Sequence, residues 1–284
     1  KKFVTIKNII DEIKQNKNHN INNEKIELNK EQLDIFNDFK QRVSEREKKF
    51  ILSGIPGSGK TIVYSKIVGE ILKKKQQIII LVPEISLIQQ TFNKVDDIFK
   101  GQVGIWHSRL SKNEKINTIK KIKNNEIKIM VGVRSCLFMP FNNLGLIIVD
   151  EEQEPSYKQT GLSPYYNARD VAIIRSKFSK SIIILCSATL SLESFYNIKN
   201  KGFIFYYMKK RYKQFNMPKV DLVDMLKETH KNKIPIISKE LKLQIQNTLN
   251  KKEQIILLQN RRSYSYIIQC KNCKATAECK NCKV

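Results

Sequence analysis

The sequence predicts an α/β fold in which a parallel sheet carries helices on both faces. Short apolar runs alternate with amphipathic segments between residues 50 and 208. Such runs are typical of parallel strands that are buried on both faces and joined by helices. A glycine-rich loop at 54–61 also separates the first run from a helical segment, as it does in many open α/β sheets.

The individual elements follow from local patterns. A helix is predicted over about 30–45, because Asn29 is a suitable N-cap and Gln32 can complete a capping box with it. Apolar runs predict strands at 50–54, 78–83, 103–107, 127–133, 144–150, 181–188 and 203–208. Amphipathic segments predict helices at 60–75, 84–100, 111–124 and 238–251, with a last strand at 254–259.

Composition places the chain among folded proteins. Of 284 residues, 41% are hydrophobic and 28% charged, which excludes wholesale disorder and collagen-like sequence. The longest apolar runs, 78–82 and 182–186, are far shorter than the roughly 20 residues that a membrane span needs. No secretory signal is visible, so we expect a cytoplasmic protein without a membrane partner. The chain begins with Lys1 rather than Met, which indicates an incomplete chain.

The net charge of +25 has two interpretations. Such an excess favours polyanionic partners such as nucleic acid, because bound cations release counterions. The alternative is codon bias, because the chain is rich in Lys, Asn and Ile and its lysines are scattered rather than clustered. Charge alone leaves both interpretations open.

The strongest single motif is a phosphate-binding loop. Gly54-Ile55-Pro56-Gly57-Ser58-Gly59-Lys60-Thr61 matches G-x-x-x-x-G-K-[ST] in full. Such a loop turns successive N–H groups toward phosphate oxygens, and the following helix adds partial positive charge. We expect Lys60 to bridge the β- and γ-phosphates of ATP, and Thr61 to bind Mg²⁺. The alternative is a glycine-rich turn without a ligand.

Polar residues also follow two later apolar runs. Asp150-Glu151-Glu152-Gln153 comes directly after 144–149, at the carboxyl edge where open α/β sheets bind ligands. Asp150 is expected to hold Mg²⁺, and Glu151 to orient the water that attacks the γ-phosphate. Hydroxyl groups in the segment 186–189 (CSAT) can hydrogen-bond this acid pair and transmit the nucleotide state. The alternatives are a solvated acidic loop and an ordinary strand end.

Four cysteines near the end of the sequence have the spacing of a zinc site. Cys270, Cys273, Cys279 and Cys282 form two CxxC pairs, which in a cytosolic protein indicate metal ligands rather than disulfides. Either all four bind one Zn²⁺ ion, or each pair is half of a separate site. Cys136 and Cys186 lie in apolar surroundings and are expected in the core.

Together these segments give the chain a family resemblance over about residues 28–284. It resembles the superfamily 2 helicases, and among them the PriA-type replication-restart helicases. The match is carried by LSGIPGSGKTIVY (52–64), LVPEISL (81–87), HSRLSKNEK (107–115), VGVRSCLFMPFNNLGLIIVDEEQEPSYKQ (131–159), YNARDVAIIRS (166–176), CSATLSLES (186–194), LLQNRRSYS (257–265) and the CxxC pairs.

The resemblance implies a domain organisation. It assigns residues 1–27 to a polar lead-in or linker and 28–208 to a RecA-like first helicase lobe that binds ATP. Residues 209–268 would form a connector and the start of a second lobe. Residues 269–284 would form a truncated zinc module, in which the two CxxC pairs belong to different ions. The chain would then be an internal or truncated fragment.

The resemblance also implies an activity, partners and site residues. The activity is ATP-driven 3′ to 5′ unwinding of forked or single-stranded DNA, followed by primosome assembly with single-strand-binding proteins at the bacterial nucleoid. Gln32 occupies the position that reads adenine in related helicases. His107, Arg134 and Ser135 lie in segments that contact the single-stranded backbone, although each residue can instead have a structural role.

The sequence departs from the family pattern at several positions. Pro56, Ile62 and Gln153 replace the usual Thr, Glu and His. The first two changes spare the atoms that contact nucleotide, whereas Gln153 is expected to weaken the link between hydrolysis and DNA. An isolated first lobe should bind ATP but hydrolyse it poorly. The alternatives are a catalytically weak nucleotide- and DNA-binding scaffold and another superfamily 2 translocase, such as that of a restriction system.

Overall fold

The computed structural model describes residues 27–161, 163–211, 219–225, 227–228, 237–258, 268–269 and 276–277. The chain divides into two compact units, residues 1–216 and 217–284. The elements of the first unit are α1 (Lys30–Ser44), β1 (Lys49–Gly54), α2 (Lys60–Lys73), β2 (Gln77–Leu81), α3 (Ile85–Asp96), β3 (Val103–Trp106), α4 (Lys112–Lys123), β4 (Ile129–Gly132), β5 (Leu144–Val149), β6 (Lys158–Gln159), β7 (Tyr166–Asn167), α5 (Ala168–Ser179), β8 (Ile182–Ser187), α6 (Leu192–Asn200) and β9 (Ile204–Met208). Two 3-10 helices, Arg134–Phe138 and Pro155–Tyr157, flank β5.

A seven-stranded sheet organises the first unit. Its strand order is β3-β4-β2-β5-β8-β1-β9, and every neighbouring pair is parallel. Strands β2, β5 and β8 are buried along their whole length, as their unbroken apolar sequences predicted. Because all strands run in one direction, their carboxyl ends lie at one edge, where parallel sheets bind ligands.

The two faces of the sheet have separate hydrophobic cores. One core joins the sheet to α1, α2 and α3 through side chains such as Phe39, Ile67 and Val95. The other joins it to α4 and α5 through Ile122 and Ala172. Helices therefore cover both faces, and the predicted α/β architecture is confirmed.

The predicted cap of α1 is confirmed in atomic detail. Asn29 Oδ1 accepts a hydrogen bond from the backbone N–H of Gln32 at 2.9 Å. In return, Gln32 Oε1 accepts one from the N–H of Asn29 at 3.0 Å. The helix therefore begins where the sequence predicted.

The described part of the second unit contains helix α7 (Lys239–Asn250) and an antiparallel pair, β10 (Ile268–Gln269) and β11 (Thr276–Ala277). The helix confirms the prediction over 238–251. The strand predicted at 254–259 is wrong, because residues 254–258 have no strand structure. Ile256 and Leu258 are about nine-tenths exposed there, and none of the strands that the structure describes pairs with this run. An apolar run without such a neighbour does not form a strand. Within the described residues, no helix combines the length and apolar character of a membrane span.

Candidate functional site

The glycine-rich loop joins β1 to α2 in a conformation that requires glycine. Gly57 and Gly59 have φ values of 79° and 85°, in the left-handed region that side chains disfavour. Position 54 requires glycine for a steric reason instead. A Cβ there would lie 2.7 Å from the Cβ of Met208 on the adjacent strand β9. The motif therefore describes a real backbone turn at the carboxyl edge.

Lys60 lies at the start of α2, with its side chain turned toward the loop. The Nζ atom donates a hydrogen bond to the carbonyl oxygen of Gly54 at 2.9 Å. The side chain is largely buried, so the loop holds the ammonium group in place. An ammonium group placed there can bind a triphosphate, because the backbone N–H groups of the glycine-rich loop beside it also carry partial positive charge.

Asp150 lies directly after β5, two strands away from the loop. Its backbone N–H donates to Leu81 of β2 at 3.0 Å. The Tyr64 hydroxyl on α2 donates to Asp150 Oδ2 at 3.3 Å. Burial raises the pKa of Asp150 to about 6, and the neighbouring carboxylate of Glu151 adds to the rise. A nearby cation would favour the charged carboxylate again.

The loop and the acid pair line one cleft of about 1040 Å³. The two motifs therefore meet at one edge of the sheet, but not across neighbouring strand ends as predicted, because β8 lies between β1 and β5. The donor set also fits magnesium, which prefers carboxylate and hydroxyl oxygens. The lining from the two motifs and the residue after β8 comprises Pro56, Gly57, Gly59, Lys60, Thr61, Asp150, Glu151 and Ala188.

Gln32 has a role that sequence reasoning missed. Its side chain is fully buried, and Nε2 donates to the carbonyl oxygen of Ser58 at 3.0 Å. A Cβ on Gly59 would lie 2.5 Å from that nitrogen. Gln32 therefore supports the phosphate-binding loop from behind, and the adenine contact stays a prediction.

Gln153 connects the acid motif to the end of β8. Its Nε2 donates to Glu151 Oε2 at 2.9 Å. The Ser187 hydroxyl donates to Gln153 Oε1 at 2.7 Å, and the N–H of Thr189 donates to the Ser187 hydroxyl at 2.9 Å. The predicted hydroxyl contact to the acid pair is thus indirect, because Gln153 lies between the two groups.

Glu152 is a further residue that the sequence did not single out. Its buried carboxylate accepts a hydrogen bond from Arg169 Nη1 at 3.2 Å. It also accepts from the backbone N–H and the hydroxyl of Ser191, each at 3.0 Å. This cluster fixes the acid motif to α5 and to the start of α6. The partners lie far along the chain, so no local pattern could have identified them.

The candidate DNA-contact residues lie on another part of the same edge. Arg134 and Ser135 begin the 3-10 helix after β4, and His107 follows β3. Arg134 Nη1 donates to the carbonyl oxygen of Lys158 at 3.0 Å. Two aromatic side chains near this region are exposed: Phe138, which packs edge-on against Tyr166, and Tyr165. Exposed rings of this kind suit base stacking.

The predicted zinc ligands Cys270, Cys273, Cys279 and Cys282 lie outside the described residues. Within the described ranges, no group of three or more His, Cys, Asp or Glu side chains could hold a metal ion. Cys136 and Cys186 are free and buried, as predicted for core residues, and burial raises the pKa of both thiols.

Sequence comparisons give relatives over most of the chain. It is 41% identical over 243 residues to the replication restart protein PriA of Rickettsia prowazekii (strain Madrid E), which covers 84% of this chain and 37% of that protein. PriA of Bacillus subtilis (strain 168) is 38% identical over 262 residues, 92% of this chain and 32% of that protein. The chain therefore spans about a third of the length of these relatives.

Solved structures show the same fold at low identity. The DUF1998 helicase MrfA aligns with a TM-score of 0.54 and 18% identity, over 83% of this chain and 36% of that chain. The Pyrococcus furiosus Hef helicase domain aligns with a TM-score of 0.51 and 18% identity, over 68% of this chain and 41% of that chain. These neighbours confirm an α/β RecA-like lobe. The family model described as type III restriction enzyme, res subunit, matches residues 25–192. The chain belongs to that family, and its predicted resemblance to the PriA-type replication-restart proteins is confirmed.

Proposed function

We propose that the chain binds ATP with Mg²⁺ and forms the nucleotide-binding part of a DNA helicase that restarts replication with 3′ to 5′ polarity. The observation that carries this proposal is the single cleft lined by the phosphate-binding loop, Asp150 and Glu151. Similarity to two PriA proteins over most of this chain supports the restart role.

The residues of the cleft have distinct roles in this proposal. Loop N–H groups and Lys60 bind the phosphates, while Thr61 and Asp150 would hold Mg²⁺. When bound, that ion neutralises charge on the phosphate oxygens. Glu151 orients the attacking water, and Gln153 links Glu151 to Ser187 through a hydrogen bond to each. The adenine is assigned to the side of the cleft near Gln32.

DNA, forked or single-stranded, is the proposed polyanionic partner. Support comes from the net charge of +25 and from Arg134, which lies beside exposed aromatic side chains. Arginine binds phosphate oxygens well, and aromatic rings stack on bases of any sequence. His107 and Ser135 are proposed to contact the same strand. Primosome proteins and single-strand-binding proteins are proposed as further partners, and the CxxC pairs as zinc ligands.

The test of the nucleotide site is the substitution Lys60→Ala. We expect it to weaken binding of a fluorescent ATP analogue at least about tenfold, because a charge-assisted contact to phosphate contributes roughly 1.5–3 kcal/mol. Lys74→Ala, at the far end of α2, is the matched control and should bind like the wild type. Equal binding by Lys60→Ala and the wild type would refute the nucleotide site.

Hydrolysis is tested separately, with single-stranded DNA present and absent. The chain alone is expected to hydrolyse ATP slowly, and a version extended to the length of the relatives is expected to respond to DNA. If neither turns over ATP although both bind it, the second candidate function holds: a nucleotide- and DNA-binding scaffold without turnover. The other alternative, a restriction-type translocase, has support in the description of the matched family.

The link through Gln153 gives a further prediction. We expect Gln153→Ala and Ser187→Ala each to reduce DNA stimulation of ATP hydrolysis about fivefold in the extended version, without changing ATP affinity. Because both residues belong to one hydrogen-bonded chain, the double substitution should be no worse than either single one. Additive losses in a double-mutant cycle would show that the two residues act independently.

A further inference from the structure

Helix α1 contacts the chain at the point where it leaves the sheet. After β9 ends at Met208, the backbone N–H of Lys209 donates to Glu31 Oε1 at 2.9 Å. The N–H of Lys210 donates to Glu31 Oε2 at 3.3 Å. One carboxylate therefore accepts from two successive amides, and these contacts are charge-assisted.

The same turn of α1 also contacts the phosphate-binding loop. Gln32, the next residue after Glu31, donates to the carbonyl oxygen of Ser58. Its amide orientation is fixed by the capping box with Asn29. Glu31 and Gln32 therefore join the loop and the exit of β9 to a single helical turn.

A second contact joins the loop directly to the end of β9. The N–H of Ile55 donates to the carbonyl oxygen of Met208 at 3.2 Å. The Cα of Gly54 lies so close to Met208 that a side chain on that glycine would overlap it. Any movement of Gly54 or Ile55 would therefore displace Met208, which directly precedes the two amides that donate to Glu31.

The rest of α1 fixes β9 to the helix. The Tyr206 hydroxyl donates to Asp38 Oδ2 at 2.6 Å, and the Tyr206 ring stacks on Phe50 with a centroid distance of 6.2 Å. Phe39 of α1 packs on Phe50 from the helix side. These contacts hold the helix and the strand together.

We propose that Glu31 is a positioning residue for nucleotide binding. Its carboxylate holds the backbone of Lys209 and Lys210, the exit segment, against the helix that supports the loop. Nucleotide bound in the loop and an exit segment bound to Glu31 therefore stabilise each other. The inference rests on the proposed nucleotide site. Such coupling is reciprocal, because each event must favour the other by the same factor.

A purely structural role of Glu31 must be distinguished from this one. An acidic residue in the first turn of a helix stabilises it through the helix dipole, whatever it contacts. Asp34 is an exposed carboxylate on the same helix that forms no hydrogen bond or ion pair within the described part of the chain. Asp34→Asn therefore removes one charge from α1 without disturbing the exit segment, and it serves as the control for loss of charge. Asp34 lies beyond the first turn, so the dipole contribution of Glu31 is distinguished by the coupling itself, which a loss of helix stability alone would not abolish.

The experiment measures two properties of the whole chain. One is the affinity for a fluorescent ATP analogue, and the other is amide hydrogen exchange at Lys209 and Lys210 with and without that analogue. In the wild type, we expect the analogue to slow exchange at both amides about fivefold, the low end of typical coupling. Glu31→Ala should abolish this difference and weaken affinity by the same factor. Asp34→Asn should match the wild type in both measurements.

Glu31→Gln provides a second variant if Glu31→Ala fails to fold, as judged by circular dichroism. Gln retains one acceptor oxygen, so its coupling should be intermediate. An analogue that binds without slowing exchange at Lys209 and Lys210 would overturn the inference and leave the proposed nucleotide site intact. The same conclusion follows if both Glu31 variants keep the wild-type coupling. A wild type that binds no analogue would overturn both.

Discussion

Replacing Gly59 with alanine is expected to cause a large loss of both nucleotide binding and stability. The backbone of Gly59 has a φ of 85°, and an L-residue in the left-handed region costs about 1–2 kcal/mol. In addition, the new Cβ would lie 2.5 Å from Gln32 Nε2 and displace it from Ser58. A buried amide that loses its partner costs a further 1–3 kcal/mol, roughly.

The expected result for Gly59→Ala is a melting temperature lower by about 5 °C or more, with affinity for an ATP analogue reduced at least about tenfold. Gly57→Ala separates the two causes. Its φ of 79° imposes similar backbone strain, but no atom lies within 4 Å of the added Cβ. Gly57→Ala should therefore lose less stability. If the two variants melt at the same temperature, the contact with Gln32 has no energetic role.

A companion variant tests the same contact from the other side. In the double substitution Gln32→Ala with Gly59→Ala, the overlap with Nε2 is absent. We expect this double variant to be no less stable than Gly59→Ala alone, although each single substitution is destabilising. Simple additivity of the two losses would contradict the overlap as the cause.

Replacing Glu152 with alanine is expected to give the largest loss of stability. The substitution leaves the Arg169 guanidinium, whose side chain is only 5% exposed, without its buried partner. It also removes the acceptor of both Ser191 donors. Breaking a buried ion pair in this way typically costs about 3–5 kcal/mol, because the remaining charge stays buried. The remaining carboxylates near Arg169, on Asp170 and Glu193, are exposed and compensate only weakly.

Chemical denaturation can measure this loss through Trp106, the single tryptophan of the chain, which lies in β3. Glu154→Ala, which removes an exposed carboxylate two residues away, should change the free energy of unfolding by less than about 0.5 kcal/mol. The double substitution Glu152→Met with Arg169→Met should recover much of the stability lost by Glu152→Ala. Equal stability of Glu152→Ala and Glu154→Ala would show that the buried pair is not needed.

The sequence was sufficient to predict the sheet and the two motifs that line the cleft. Strands such as β2 and β5 are buried on both faces, so their apolar runs are continuous and easily recognised. The motif at 54–61 depends on local backbone geometry, which is set by the positions of its glycines. Since parallel strands share one carboxyl edge, the meeting of Lys60 and Asp150 also followed from the pattern.

The remaining parts depend on contacts between distant residues, which local patterns do not contain. Gln32 supports Ser58 across 26 residues, and Glu152 pairs with Arg169 across 17. The apolar run predicted as a strand at 254–259 shows the opposite error, because its composition resembles a strand but none of the described strands pairs with residues 254–258. Gln153 was expected to weaken the link between hydrolysis and DNA, and that effect stays a prediction. The structure adds that its amide contacts both Glu151 and Ser187, a bridge that the sequence pattern did not reveal.

The position of β8 also constrains how the sequence of this protein can change. This strand lies between β5 and β1. Its last residue, Ser187, donates a hydrogen bond to Gln153, which in turn donates to Glu151. Successive strand residues point to opposite faces of the sheet. Deleting one residue inside 182–187 would therefore turn the Ser187 side chain to the other face, away from Gln153. Insertions and deletions should therefore be found in surface loops such as that before α6, and be absent from this strand in any functional descendant.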